Sequence, residues 1–203
     1  YFSRMRLISN LLDHLRRGES LRRVVCVMAG SREGPIDPND VSGRKVPIRQ
    51  ARGHLSSCIT FGLEHFAEMA PEVSFIHDHP GSVPTKPTRA LPPGMASFAV
   101  SLSMASGRKI SLEESAERHL FLTTSSRYPP ISVEDRPLAR GVPLSAGLRV
   151  ALSSTARVAG GVYTVNSDCV SADYNTLELL RTMREQNIPA ALWEWTQEEI
   201  DRV

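Results

Sequence analysis

Residues 73–81 read Val73-Ser74-Phe75-Ile76-His77-Asp78-His79-Pro80-Gly81 and decide the expected fold. The apolar start predicts a short strand, and the proline–glycine pair ends its regular pairing. Two histidines at i and i+2 on an extended segment point to the same face. The sequence therefore places two imidazoles together at the end of one predicted strand.

Elements before this stretch alternate between helix and strand. Apolar residues within 7–15 recur at helical spacing and predict a first helix. Residues 24–29 form an unbroken apolar run ending at Gly30, which is typical of a strand buried on both faces. A second helix is expected from about His54 to Met69. This order indicates a mixed α/β domain.

The part of the chain after residue 81 predicts a long loop and further strands. Five prolines within 80–94 disfavour regular structure. Residues 98–104 alternate apolar and small side chains, as a half-buried strand does. Short strands are also expected at 120–124 and 131–134.

Helices are expected at the C-terminal end of the chain. One contains Leu177 and stops before Pro189, and a capping sequence predicts the start of another at Thr196. We therefore divide the chain into a domain over 1–150 and a linker with C-terminal helices over 151–203.

Composition and charge exclude several classes of protein. The 203 residues are 41% apolar and 23% charged, which is ordinary for a globular domain and excludes a wholly disordered chain. A net charge of +2 is too balanced for a protein that mainly grips phosphate backbones. No apolar run reaches the ~18–20 residues that span a bilayer. The start lacks a signal-peptide core, and the absent initiator methionine predicts a chain cut from something longer.

Cysteine usage adds an expectation about the cellular compartment. Cys26, Cys58 and Cys169 are odd in number and form no C-x-x-C pair. This pattern favours buried thiols in a reducing compartment over disulfides or a zinc site.

The two histidines of the predicted strand are the sharpest candidates for chemistry. A catalytic zinc needs a third protein ligand and a nearby carboxylate base. The next acidic residue after Pro80 is Glu113, well beyond the loop, so the pair alone favours a structural role. The sequence contains no G-x-S-x-G, P-loop or G-x-G-x-x-G motif.

The order of elements resembles the MPN-domain family, whose active members are JAMM metallopeptidases. Residues 7–30 are similar to the opening helix and strand of that family. Residues 98–112 and 170–176 are similar to stretches of subunit f of eukaryotic translation initiation factor 3. This resemblance implies an α/β MPN (JAMM-like) domain with a mixed β-sheet flanked by helices, followed by a C-terminal helical tail.

The resemblance also implies the catalytically inactive branch of the family. His77 and His79 are kept, but the positions of the catalytic Glu and of the acidic zinc ligand hold Arg23 and Leu91, and a Ser position holds Thr88. Without these carboxylates the site cannot readily bind zinc or activate water. We therefore expect no enzyme, no metal and no cofactor, with the two histidines as vestigial candidates.

The implied function is a non-catalytic scaffold in translation initiation. The protein is expected in the cytoplasm, supporting assembly of the 43S pre-initiation complex on the small ribosomal subunit. Its expected partners are other subunits of initiation factor 3, above all the MPN subunit h and the neighbours in a helical bundle, with no membrane contact. The candidate subunit interface is the apolar stripe of Leu177, Leu180, Met183, Trp193 and Trp195.

Three alternatives stay open at this level. The chain resembles, less closely, the inactive MPN subunits of the proteasome lid and the signalosome. A zinc-dependent JAMM isopeptidase could use His77 and His79 with Asp78 as an acidic ligand. A cluster of basic residues could contact RNA or an acidic partner, or form a solvated turn; it consists of Arg16, Arg17, Arg22 and Arg23.

Overall fold

The computed structural model describes residues 1–83, 109–132 and 140–202. In chain order its elements are α1 Phe2–Arg16, β1 Arg23–Val27, α2 Ile48–Met69, β2 Ser74–Asp78, α3 Leu112–Thr124, β3 Val162–Val165, α4 Tyr174–Glu185 and α5 Ile188–Asp201. None of the helices in these ranges has the length and apolarity needed to cross a membrane. All three cysteines are free and buried, as predicted.

The three strands form one parallel sheet in the order β1-β2-β3. Arg23 lies opposite Ser74, and Val27 lies opposite Asp78. Asp78 in turn lies opposite Val165 of β3. Parallel neighbours need crossover connections, and these contain α2 and α3 respectively. The carboxyl ends of all three strands therefore meet at one edge of the sheet.

Side chains on successive strand residues alternate between two faces of the sheet. One face carries Cys26, Phe75 and Val162, which pack with α1 and α2. The other carries Ile76 and Tyr163, which pack with α3. Helices on both faces of a parallel sheet define an α/β layer architecture.

The C-terminal helices pack against α2. Leu180 and Met183 are 0% and 2% exposed and share a core cluster with Phe61 of α2. The indole ring of Trp193 stacks on the imidazole of His65, with 3.6 Å between ring centroids. The predicted helical tail is therefore part of the core of the chain.

The remaining members of the predicted interface also lie within or beside this packing. Leu177 is half-buried, and Trp195 stacks parallel to Tyr1 with a centroid distance of 6.3 Å. The role of the stripe in subunit contacts stays a prediction. The division at residue 150 also stays a prediction, although Val162–Val165 pairs with β2.

Two predictions of secondary structure were wrong. Residues 120–124 are helical, because the Ser111 side chain accepts a hydrogen bond from Glu114 N at 3.1 Å and so caps α3. Thr196 lies inside α5, where its hydroxyl donates to Leu192 O at 2.6 Å. The predicted strand at 98–104 lies outside the described residues.

The mixed sheet expected from the MPN resemblance is also wrong for the described residues. All of their strand pairs are parallel. The third strand, β3, falls in a stretch of small residues that suggested only a linker. Its four residues are buried because β2 pairs with them and α2 and α3 cover the two faces, which is a long-range effect that local pattern does not reveal.

Candidate functional site

The candidate site lies at the carboxyl edge of the sheet. Three loops meet there, over residues 28–33, 79–83 and 166–171. In open α/β sheets, ligands bind in the crevice outside the carboxyl ends of the strands. This edge is therefore where a functional site is expected in this architecture.

The loop after β1 is held tightly against the other two strands. A Cβ at Gly30 would lie 2.1 Å from His77 O and 2.7 Å from Val165 O, so only glycine fits. Ser31 follows at a φ of 59°, a left-handed conformation that is strained for a side chain other than glycine. Its N–H donates to Thr164 Oγ1 at 2.6 Å, which fixes the loop.

A buried polar network lies beneath this loop. The Thr60 hydroxyl donates to Glu33 Oε1 at 2.7 Å, and Thr164 donates to the same oxygen. His77 Nδ1 lies 2.9 Å from Thr60 Oγ1. The side chains of Glu33 and His77 are both 0% exposed. The network thus joins β2, β3, α2 and the loop after β1.

The partners of His77 determine its tautomer. The backbone N–H of Ala29 donates to His77 Nε2 at 3.3 Å, so Nε2 accepts. Nδ1 must then carry the hydrogen and donate to Thr60. Hydrogen bonds therefore run in one direction from Ala29 through His77 and Thr60 to Glu33. The 3.5 Å contact between His77 and Glu33 is not an ion pair in this arrangement.

Glu33 is the terminal acceptor of the network. Burial alone raises the pKa of Glu33, but the nearby His77 ring and the hydrogen bonds from Thr164 and Thr60 outweigh it and lower that pKa below its ordinary value. Glu33 is therefore ionised at neutral pH. Its second oxygen, Oε2, is buried without a hydrogen-bond partner in the described ranges.

His79 lies at the carboxyl edge, directly after the end of β2. It is 7% exposed, and burial together with the charges of Arg32 and Arg52 lowers its pKa. The Met28 backbone accepts from its ring, while Nδ1 is buried and lacks a partner among the described residues. At neutral pH His79 therefore offers an unused acceptor at the carboxyl edge.

Asp78 points to the opposite face of the sheet. Its Oδ2 lies 3.2 Å from Nε2 of His119 on α3. His77 approaches Thr60 of α2, and His79 follows directly after the end of β2. Asp78 cannot join them as a ligand of one ion, because alternation turns it away.

The structure gives no support to a zinc site in the described ranges. They hold no cluster of three or more His, Cys, Asp or Glu side chains arranged to bind a metal. Both ring nitrogens of His77 are already engaged, by Ala29 and Thr60. The positions predicted for the missing ligands, Thr88 and Leu91, lie outside the described residues.

Arg23 has a structural role that the sequence did not indicate. Its guanidinium donates to three backbone carbonyls, those of Leu122, Ser125 and Tyr128, at 2.8, 2.9 and 2.7 Å. Burial lowers the pKa of Arg23 to about 10, so it stays charged at neutral pH. It ties the start of β1 to the end of α3.

The other arginines of the basic cluster have separate environments. Arg16 pairs with Glu72 at 2.8 Å, and Arg22 Nε donates to Gly18 O at 2.7 Å. Arg17 is exposed at the end of α1. The alternative of an RNA contact stays a prediction.

Sequence reasoning missed Glu33, Thr60 and Thr164 as members of the site. One signal could have found Thr60: the face of α2 that is otherwise apolar carries several small hydroxyl side chains. Ser56 donates to Ala29 O and Ser57 to Gly34 O, both at 2.6 Å. Buried hydroxyls on a core-facing helix indicate polar partners across the interface.

Comparison with curated proteins shows similarity to fungal oxidoreductases. The chain is 34% identical over 207 residues to "Oxidoreductase AN1596" of Emericella nidulans, covering 100% of this chain and 60% of that protein. It is 28% identical to "Oxidoreductase andH" of Emericella variicolor, covering 97% and 57%. It is also 28% identical to "NmrA-like family domain-containing oxidoreductase notO" of an Aspergillus species, covering 97% and 54%.

The chain spans about 60% or less of the length of these relatives. No family model and no solved structure matches it. The comparison therefore rests on curated sequences alone.

These relatives overturn the assignment to the MPN-domain family. Nearly the whole chain aligns with proteins named as oxidoreductases, which contradicts the initiation-factor scaffold, the proteasome-lid or signalosome subunit and the JAMM isopeptidase. The prediction that the chain is not an enzyme is contradicted by the same names, and they give no sign of initiation-factor subunits or a ribosome as partners. A parallel sheet covered by helices fits a Rossmann-like fold instead.

Proposed function

We propose that this chain forms part of an oxidoreductase of the NmrA-like type. The observation that carries the proposal is the alignment of the full chain with a protein of that activity at 34% identity. The parallel sheet supports it, since such sheets place reactive ligands at the carboxyl edge where Glu33, His77 and His79 lie. Because the relatives are longer, the proposal concerns the activity of the whole protein.

The names of the relatives specify an oxidoreductase and no substrate. The proposed reaction moves a hydride and a proton between a substrate and a second molecule, so that one is oxidised and the other is reduced. Sheets of this kind commonly bind a nicotinamide dinucleotide, whose pyrophosphate rests on a glycine-rich loop at a helix N-terminus. The sequence contains no G-x-G-x-x-G loop, so these 203 residues do not fit that part of the cofactor.

The residues of this chain act in the proposal by holding the crevice in shape. The Glu33 network fixes the loop after β1 against β3 through Thr164 and Ser31. A site whose side chains are held by supporting hydrogen bonds keeps its acceptors at set positions, which favours binding of a ligand with matching geometry. His79 then presents its free ring nitrogen at a defined place.

Comparison of metabolites tests the proposed activity. The coding sequence is deleted in its host, and extracts are compared by untargeted mass spectrometry with those of the parent and of a complemented strain. An oxidoreductase produces one compound that accumulates and one that is lost, with formulae that differ by H₂. Identical extracts, or a pair related by another difference, would argue against the proposal.

A cytoplasmic location is part of the proposal. It is supported by the three free thiols, which persist in reducing compartments. Fractionation of the host with an antibody to the chain tests it, and recovery in the secreted fraction would contradict it.

A further inference from the structure

Two arginines are brought together at the start of α2 by a close contact between glycines. Gly34 N donates to Gly53 O at 2.9 Å, and a Cβ at Gly53 would lie 3.0 Å from Gly34 Cα and 3.5 Å from Arg32 O. Arg52 directly precedes Gly53 in the chain. Arg32 and Arg52 therefore lie on facing segments of backbone beside the carboxyl edge of the sheet.

This corner presents two arginine side chains to solvent. Arg32 and Arg52 are exposed, and neither forms an ion pair in the described ranges. The first turn of α2 contains no acidic residue, and a helix N-terminus is itself partly positive. Of the nearby carboxylates, Glu33 is buried and accepts from two threonines, and Asp173 caps α4, where the capping hydrogen bond and the charge of Arg32 lower its pKa.

His79 adds a second and independent feature at the same place. It is more than nine-tenths buried, and it directly follows Asp78, whose carbonyl accepts from Met28 N at 2.8 Å at the start of the loop that carries Arg32. Burial lowers the pKa of His79, and the charges of Arg32 and Arg52 contribute to lowering it. Its Nδ1 has no donor among the described residues. Because a buried acceptor without a donor is unfavourable, a ligand hydroxyl at this position would satisfy it.

We propose that Arg32, Arg52 and His79 bind a small molecule that carries an anionic group next to a hydroxyl. The two guanidiniums take the anion, a carboxylate or a phosphate, and His79 Nδ1 accepts from the hydroxyl. The inference rests on the proposed function in that it names the substrate class of that site. The anion comes either from a hydroxy-acid substrate or from a nucleotide.

Calorimetric titration of the 203-residue chain tests the site without any turnover. Four probes are used: malate, succinate, inorganic phosphate and NADPH. Malate and succinate differ only in the hydroxyl, so malate is expected to bind several-fold more tightly. The double variant Arg32→Gln with Arg52→Gln is expected to raise the dissociation constant of the bound probe about tenfold or more.

Matched variants separate a built site from general charge. Arg49→Gln removes one charge from the same turn of α2, and is expected to change affinity less than twofold. His79→Leu should abolish the preference for malate over succinate, and His79→Gln, which keeps an acceptor, should retain part of it. Circular dichroism and thermal melting confirm that each variant folds.

The pattern of binding identifies the source of the anion. Tightest binding of malate supports a substrate carboxylate, whereas tightest binding of phosphate or NADPH, lost in the double variant, supports a nucleotide. Absence of saturable binding by all four probes overturns the inference, as does an equal loss in Arg49→Gln. The titration measures binding and not turnover, so the two proposals can fail separately. If no probe binds but the metabolite pair is found, the binding site is wrong and the oxidoreductase activity stands. If a probe binds but no metabolite pair is found, the activity is wrong and the binding site stands.

Discussion

His119 Nε2 lies 3.2 Å from Asp78 Oδ2, on the face of the sheet opposite to His77. His119 Nδ1 lies 2.6 Å from Ser115 O, and a carbonyl only accepts, so Nδ1 carries a hydrogen. Burial raises the pKa of Asp78 to about 6, against the opposing charges of His119 and Arg118. Asp78 therefore keeps its proton to a higher pH than an exposed aspartate does.

Replacement of Asp78 by Asn should stabilise the protein in a pH-dependent way. The folded pKa of about 6 exceeds the unfolded value of ~4, so the stabilisation from protonated Asp78 is present below ~4 and lost as pH rises through 6. The Asn side chain carries an N–H group that can donate to His119 at every pH. We expect a gain on the order of 1–2 kcal/mol in the free energy of unfolding at pH 7.5, and little near pH 4.

Urea denaturation at both pH values measures this effect. Asp201→Asn, which removes an exposed carboxylate on α5, is the control and should show no such change between the two pH values. An equal gain for Asp78→Asn at pH 4 and pH 7.5 would contradict the raised pKa of Asp78.

Replacement of Glu33 tests the buried network. Glu33→Ala leaves the hydroxyls of Thr60 and Thr164 without their acceptor and should lower the free energy of unfolding by about 3 kcal/mol. Glu33→Gln keeps one oxygen to accept both and should cost about 1 kcal/mol. Denaturant titration at pH 7 compares the two variants, and an equal loss would mean that the hydrogen bonds do not account for the effect.

The same carboxylate should contribute to acid sensitivity. The pKa of Glu33 is depressed in the folded state, so its stabilisation is present above the ordinary pKa of Glu and is lost as pH falls through the depressed value. Glu33→Gln should therefore lose less stability than the parent between neutral pH and pH 3. Thermal melting of both proteins across this pH range measures the effect. If the melting temperatures of Glu33→Gln and the parent fall in parallel with pH, groups other than Glu33 determine the acid sensitivity.

Arg23 should be required for stability although it touches no ligand. Arg23→Met removes three hydrogen bonds to backbone carbonyls of 122–128 and leaves them partly buried, at an expected cost of about 3 kcal/mol. Arg17→Met removes an exposed arginine at the end of α1, and is expected to stay within about 0.5 kcal/mol. Urea denaturation measures both variants. An equal fall in the two midpoints would contradict the stabilising role of Arg23.

Gly30→Ala should prevent the loop after β1 from packing against the carboxyl ends of β2 and β3. The added Cβ would lie 2.1 Å from His77 O, which neither strand can relieve without breaking the ladder. Gly147→Ala is the matched control, since its site is open but its φ is +88°, and it should cost only about 1 kcal/mol from backbone strain. Yield of folded protein and its near-ultraviolet dichroism measure both; comparable behaviour would refute the steric argument.

The periodicity of apolar residues correctly predicted the helices and strands that bury one clear apolar stripe or one apolar run. The helix predicted within 7–15 is observed as Phe2–Arg16, and the apolar run at 24–29 is observed as the strand Arg23–Val27. Residues 120–124 suggested a strand through local composition, although the cap at Ser111 predicts a helix. The strand at 162–165 depends on pairing with β2, which no local pattern reports.

The site was predictable only in part. The spacing of His77 and His79 predicts two imidazoles on one face, but Thr60 and Glu33, which lie beside His77, are far away in sequence. The MPN resemblance failed because a buried strand ending in His-x-His-Pro is a short pattern. Any parallel sheet with polar residues at its carboxyl edge can produce it, so it carries little information about family.

His77 and Asp78 end strand β2 and His79 follows it, so three ionisable side chains stand in succession. Which face of the sheet each of them meets depends on the number of residues in the strand. Loss of a single residue between Ser74 and His77 would exchange the two faces. The carboxylate of Asp78 would then turn toward Glu33, setting two negative charges against each other in a buried space, and an imidazole would face His119. Such a strand withstands changes of side chain far better than changes of length.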